Sequence, residues 1–238
     1  MRALILQHIR VEHPGVFRDF LIKDGIAWDT LELDEGDVIP ALDGYDILMA
    51  MGGPMDVWET ALHPWLIAEK VAIRDWVAQD KPFLGFCLGH QLLADALGGT
   101  VAPAAASEVG IMNVDLSAAG RSDPIFAGLP EKLTCMQWHS AAVAVVPPGA
   151  TVLASSPLCP VQAFRIGRAA YGLQFHIEVT DVTVSEWGCV PAYAASLEAV
   201  MGLGALGHLD NEMTAVLPTL NRFARGLYDN FMGLVQNS

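Results

Sequence analysis

Uninterrupted apolar runs of four to six residues alternate along this chain with segments whose apolar residues recur every three or four positions. The first kind predicts strands over Arg2–Gln7, Trp28–Leu33, Ile47–Met51 and Phe83–Phe86, and the second predicts helices over Gly15–Asp24, Pro64–Gln79 and Leu88–Leu97. Strands without polar alternation are buried on both faces. Their order with helices therefore predicts an α/β fold around a mostly parallel sheet. From Val101 to Phe164 the segments shorten and turn signals such as Pro147-Pro148-Gly149 multiply, which predicts antiparallel strands that extend the sheet or form a second small one. Ala170–Phe175 reads as another buried strand. After Asp181 the helical period returns, with Leu217, Leu220, Ala224, Leu227, Phe231 and Leu234 marking one face of a terminal helix. No Gly/Ser-rich linker or repeat interrupts the series, so a single domain over residues 1–238 is expected, with a helical extension from about 181.

Three stretches in this pattern carry chemistry. In Gly85-Phe86-Cys87-Leu88-Gly89-His90-Gln91 an apolar strand ends in a cysteine and a helix begins at once. A thiol there faces the positive end of a helix, which favours thiolate and lowers a pKa that starts near about 8.5. A buried, inert cysteine packed between strand and helix is the plainer reading of Cys87 alone. In Gly172-Leu173-Gln174-Phe175-His176-Ile177-Glu178, His176 and Glu178 lie two apart on a strand and project to one face. A carboxylate so placed can fix the imidazole tautomer and leave the other nitrogen facing a thiol. Two unrelated polar residues on a surface strand would give the same spacing. In Met51-Gly52-Gly53-Pro54-Met55-Asp56, paired glycines after a strand expose backbone N–H groups, although Gly-Gly-Pro is also an ordinary turn signal.

Taken together, G-x-C-x-G-H-Q, the His-x-Glu strand and the Gly-Gly-Pro loop resemble the class I glutamine amidotransferases, as in the amidotransferase domain of GMP synthase, and are similar to the gamma-glutamyl peptidases of the same family. The resemblance implies a flavodoxin-like three-layer fold. It also implies a catalytic trio of Cys87, His176 and Glu178, with the N–H groups of Gly53 and Leu88 as the oxyanion hole and Gly52 and Pro54 among the substrate-binding residues. Gln91 and the loop Trp138, His139, Ser140 and Ala141 would hold the amino-acid end of glutamine. The family usually has proline where this chain has Ile177, which restores one backbone N–H, and often has glycine or aspartate at the positions of Ser140 and Ala141. The activity implied is ammonia release from glutamine through a Cys-linked gamma-glutamyl thioester, for an acceptor the sequence does not name. Hydrolysis of gamma-glutamyl peptides is the rival chemistry. A non-catalytic regulatory or binding module, or a relative of cysteine-containing stress proteins with a similar elbow, would keep the fold without it.

Composition changes this picture little. A formal charge of -14 with 13 Lys and Arg argues against a nucleic-acid partner. No phosphate-cradling G-x-x-x-x-G-K-[ST] run and no Ser-Gly-Gly-x-Asp-Ser loop occurs, so no cofactor is expected and any ATP-using synthetase would be a separate polypeptide. His90, His139 and His176 match no zinc spacing, so no metal is expected either. The four cysteines are irregularly placed and read as reduced, and the opening apolar run is too short for a signal sequence or membrane span, which predicts a cytoplasmic protein.

Overall fold

The computed structural model describes residues 1–236. Nine strands form one sheet: β1 (Arg2–Gln7), β2 (Ala27–Glu32), β3 (Ile47–Ala50), β4 (Phe83–Phe86), β5 (Thr100–Leu116), β6 (Lys132–Val145), β7 (Thr151–Ser155), β8 (Ala163–Ile166) and β9 (Ala170–Leu173), in the order β2-β1-β3-β4-β9-β8-β7-β5-β6. The pairs β1–β2, β1–β3, β3–β4 and β4–β9 are parallel, and the pairs from β9–β8 to β5–β6 are antiparallel. The turn-rich middle of the chain thus extends the same sheet.

Alternation along the strands builds two cores. Ala3 and Ile5 face the helices α1 (Phe17–Lys23), α5 (Thr183–Trp187), α6 (Pro191–Met201) and α7 (Ala205–Gln236), while Leu4 and Leu6 face α2 (Trp65–Val77) and α3 (Leu88–Ala96). This is the expected flavodoxin-like three-layer arrangement. On α7 the expected face is the packed one: Leu220, Ala224, Leu227 and Phe231 are buried, with Leu217 and Leu234 against them. A short helix, α4 (Ala118–Ser122), lies between β5 and β6. Among the described residues no helix is long and apolar enough to cross a membrane.

One segment departs from the expected pattern. β9 ends at Leu173, not Phe175, because the chain leaves β8 there and bridges to the middle of β6. His176 and Met136 exchange both backbone hydrogen bonds, at 2.8 and 2.9 Å. The residues that follow are anchored to a different strand, so what brings His176 and Glu178 together is this crossing rather than a regular strand.

Candidate functional site

Cys87 joins β4 to α3 with φ 47 and ψ -102, a conformation that non-glycine residues rarely adopt and that costs about 1–3 kcal/mol. Packing imposes it. The Cys87 N–H donates to the carbonyl of Leu173 at 2.8 Å, its own carbonyl accepts from Gln91 N–H at 3.1 Å, and a Cβ on Gly89 would stand 2.1 Å from the Ala50 carbonyl oxygen. The helix therefore starts closer to β3 than any side chain at position 89 permits.

Beyond the sulfur, His176 Nδ1 and Glu178 Oε1 are 2.6 Å apart, and the second Glu178 oxygen accepts the N–H of Ile177 at 3.0 Å. The N–H that proline would lack thus holds the carboxylate. The other face of the imidazole stacks edge-on against Trp187, with centroids 4.8 Å apart. His176 Nε2 is buried and makes no well-formed hydrogen bond, yet it is close enough to Cys87 for each group to shift the other. Burial alone would lower His176, but Glu178 and Cys87 outweigh it and raise the imidazole well above its usual pKa.

Cys87 itself moves against expectation. Burial pushes the thiol up, and His176 only partly offsets it while the carboxylates of Glu12 and Glu178 add to the rise. The helix start is present, but Cys87 is only 5% exposed and feels the charge of two acids.

A cavity of about 110 Å³ opens over the sulfur. Of the expected residues, Gly53, Pro54, Cys87, Gln91, Trp138, His139, Ser140 and Ala141 line it, joined by Met55, Asp56 and three residues of α6, Ala192, Tyr193 and Ser196. Gly52, Leu88, His176 and Glu178 lie outside the lining. Gly52 is turned into the protein, where its carbonyl meets His8 Nδ1 at 3.0 Å and its Cα faces the Glu12 carboxylate. The Leu88 side chain packs beneath the loop, against Gly53. The Gln91 side chain, expected to hold substrate, has its amide nitrogen engaged within the protein, donating to Ala141 O at 3.1 Å and to Gln174 Oε1 at 3.0 Å.

Several groups at the site were not foreseen from the sequence. Glu12, from the loop after β1, is buried; burial lifts its carboxyl to about 7, against the pull of His176 and of the Tyr193 hydroxyl that donates to it at 2.5 Å. His8 Nε2 meets Glu69 Oε1 at 2.9 Å, both side chains fully buried, and the His8 ring stacks on Trp65. Trp138 donates to Tyr193 O and Ser196 Oγ and so ties β6 to α6. Gln174 donates to Cys87 Sγ at 3.5 Å, and it sits inside the Gly-Leu-Gln-Phe-His run, so its place beside the base was the one signal available.

A second cysteine, histidine and glutamate also meet: Cys159, His139 and Glu108 bring one ligand-type atom each within 4.8 Å, a grouping that sequence spacing did not suggest. Their atoms are engaged in hydrogen bonds. Glu108 accepts from Ser156 at 2.7 Å and Gln162 at 2.7 Å and contacts His139 Nε2 at 3.1 Å, while the Cys159 thiol donates to Val161 O at 3.5 Å and is pushed up to about 11 by burial. His90, also buried, is driven down to about 3 by loss of solvent and stays neutral.

Comparison with known proteins now places the chain. The model of the family described as glutamine amidotransferase class-I matches residues 23–184. The chain belongs to that family. Class I glutamine amidotransferases usually hydrolyse glutamine with a cysteine. The chain is 32% identical over 185 residues to the glutamine amidotransferase-like protein YfeJ of Salmonella typhimurium, covering 76% of this chain and 77% of YfeJ. It is 33% identical over 181 residues to the glutamine-hydrolyzing GMP synthase subunit of Halobacterium salinarum, covering 76% and 88%. Its fold matches the crystal structure of a Thermotoga maritima glutamine amidotransferase with a TM-score of 0.86 at 29% identity, over 97% of both chains.

Proposed function

We propose that this class I amidotransferase hydrolyses the side-chain amide of glutamine with Cys87 as nucleophile, His176 as acid and base and Glu178 as the group that orients it. The observation that carries the reading is the strained Cys87 at the floor of the cavity, with the His176–Glu178 contact of 2.6 Å directly behind it. The thiolate attacks the amide carbon, and charge collects on oxygen against the N–H groups of Gly53 and Leu88. The C–N bond then breaks, ammonia leaves with a proton from His176, and a thioester remains on Cys87. Water, giving its proton back to His176, adds to the thioester and releases glutamate. Asp56, at the cavity wall, supplies a carboxylate for the ammonium end of the amino acid.

The cavity favours glutamine over gamma-glutamyl peptides. Its roughly 110 Å³ is far below the about 300 Å³ at which drug-sized ligands begin to fit, and Ala192, Tyr193 and Ser196 of α6 take up part of its wall. Similarity to the glutamine-hydrolyzing component of a GMP synthase supports a separate synthetase polypeptide as the consumer of ammonia. The purified chain, assayed side by side on glutamine and a gamma-glutamyl dipeptide, is expected to release glutamate from glutamine and to leave the dipeptide nearly untouched. Efficient cleavage of the dipeptide would replace this reading with the peptidase one.

His8 bears on the same step from behind the loop. Its Nδ1 can only donate to the Gly52 carbonyl, which fixes the peptide that precedes Gly53. His8→Leu is expected to lower kcat on glutamine by about tenfold or more while alkylation of Cys87 by iodoacetamide proceeds at its normal rate, since only the oxygen-binding N–H is displaced. Equal losses in both assays would mean that His8 supports the whole site.

A further inference from the structure

We infer that Gln174 is a further catalytic residue of this site, a hydrogen-bond donor to the Cys87 sulfur, and that the buried Glu108–His139 pair positions it through the Ala141 carbonyl and Gln91. The inference rests on Cys87 being the nucleophile and concerns what holds that sulfur ready.

The contacts form one unbroken line: Glu108 Oε2 to His139 Nε2 at 3.1 Å, His139 Nδ1 to Ala141 O at 3.0 Å, Gln91 Nε2 to the same oxygen at 3.1 Å, Gln91 Nε2 to Gln174 Oε1 at 3.0 Å, and Gln174 Nε2 to Cys87 Sγ at 3.5 Å. Every direction along it is forced. A backbone carbonyl only accepts, so both His139 Nδ1 and the Gln91 amide must present hydrogens to Ala141. The Gln91 nitrogen has a second hydrogen, and only an oxygen can receive it, so Gln174 turns its own oxygen to Gln91. Its NH2 end is then left facing the sulfur. A donor aimed at sulfur stabilises thiolate over thiol.

The far end is built to stay fixed. Glu108 and His139 are register partners across β5 and β6, immediately after the irregularity that follows Pro103. Pro103, the register partner of Ala141, has no N–H to offer it. Side chains therefore hold that carbonyl. Glu108 is kept in its charged form, lowered by His139, Ser156 and Gln162 against the burial that would raise it. The Glu108 carboxylate against His139 Nε2, and His139 Nδ1 against the Ala141 carbonyl, thus lock the first link, and the amide orientations follow from it. The cluster that resembles a metal site is, on this reading, the anchor of the line.

The test reads the sulfur. Site-resolved iodoacetamide labelling of Cys87 as a function of pH reports its apparent pKa, because only thiolate reacts and the rate climbs as pH rises through that value. The other titratable groups facing Cys87 are His176, Glu178, Glu12 and Tyr193. Gln174→Met keeps the volume and removes the donor; it is expected to raise the apparent pKa by about one unit, slowing labelling at pH 7 about tenfold. Gln174→Glu, which offers an acceptor in place of a donor, should raise it further. Glu108→Gln should shift it in the same direction by about half as much, and the double variant Glu108→Gln/Gln174→Met should go no further than Gln174→Met alone. Circular dichroism and melting curves check that each variant is folded. An unchanged profile in both Gln174 variants would overturn the donor role. An unchanged profile in folded Glu108→Gln, or additive shifts in the double variant, would overturn the line from the pair. If glutamine fails to protect Cys87 from labelling in the unaltered protein, the nucleophile reading itself falls, and that outcome is visible before any variant is made.

Discussion

Cys87→Ala is expected to lower glutamine hydrolysis by about a thousandfold or more, because loss of a nucleophile leaves only binding and the N–H groups to act. A chloroketone analogue of glutamine should alkylate Cys87 alone, with glutamine competing. The other cysteines differ in ways that exclude them. Burial pushes Cys135 far up and Cys159 to about 11, and the exposed Cys189 sits away from the cavity with its thiol donated to Ser185 O. Retention of appreciable activity in Cys87→Ala would discard the mechanism and turn attention to Cys159 beside His139 and Glu108.

Much of this was legible in the residues, for reasons that can be stated. β1, β3 and β4 were readable because strands buried on both faces must be apolar throughout, and Cys87 because a strand, a thiol and a helix follow one another without a gap. What could not be read was contact between distant segments. Glu12 stands in a loop with no periodicity and reaches the site only because Gly15 lets the chain dock on Glu178: Gly15 has φ +51, the neighbouring Val16 N–H donates to Glu178 O at 2.7 Å, and a Cβ on Gly15 would lie 1.6 Å from that oxygen. Likewise nothing in Pro191–Met201 announces that α6 lines the cavity, since its small residues and its tyrosine are ordinary helix and core choices.

The thiol's direction shows the same limit in electrostatic form. A helix start is a local feature and argues for a lower pKa. Burial and the carboxylates of Glu12 and Glu178 are tertiary features, and here they win. His176 moves further, raised well above its usual value by Glu178 and Cys87 against the burial that would lower it. The spacing of the motifs thus pointed to these three residues, while the electrostatic balance among them comes from packing that no single segment encodes.

The second glycine of G-x-C-x-G-H-Q supports the other large prediction. Gly89 lies inside α3, and its φ is not positive. What it provides is approach: its N–H donates to Met51 O at 3.0 Å, and an added methyl would meet Ala50 O at 2.1 Å and Ala50 Cβ at 2.9 Å. Those atoms belong to β3 and cannot rotate away as a long side chain would. Gly89→Ala should therefore force the first turn of α3 off the end of β3, destabilising the fold by about 3 kcal/mol and lowering the melting temperature by about 10 °C. Activity should suffer separately, since the same displacement carries Cys87 and the Leu88 N–H away from Gly53. A tenfold or greater loss of kcat at temperatures where the variant is fully folded is expected, because misplacement by a fraction of an ångström is enough to spoil attack geometry. Gly98→Ala is the matching control: φ is +88 and no atom lies within 4 Å of the added methyl, so the cost should be near about 1 kcal/mol with kcat unchanged. Were Gly89→Ala as stable and active as Gly98→Ala, the close approach of α3 to β3 would not be what sets Cys87 in place.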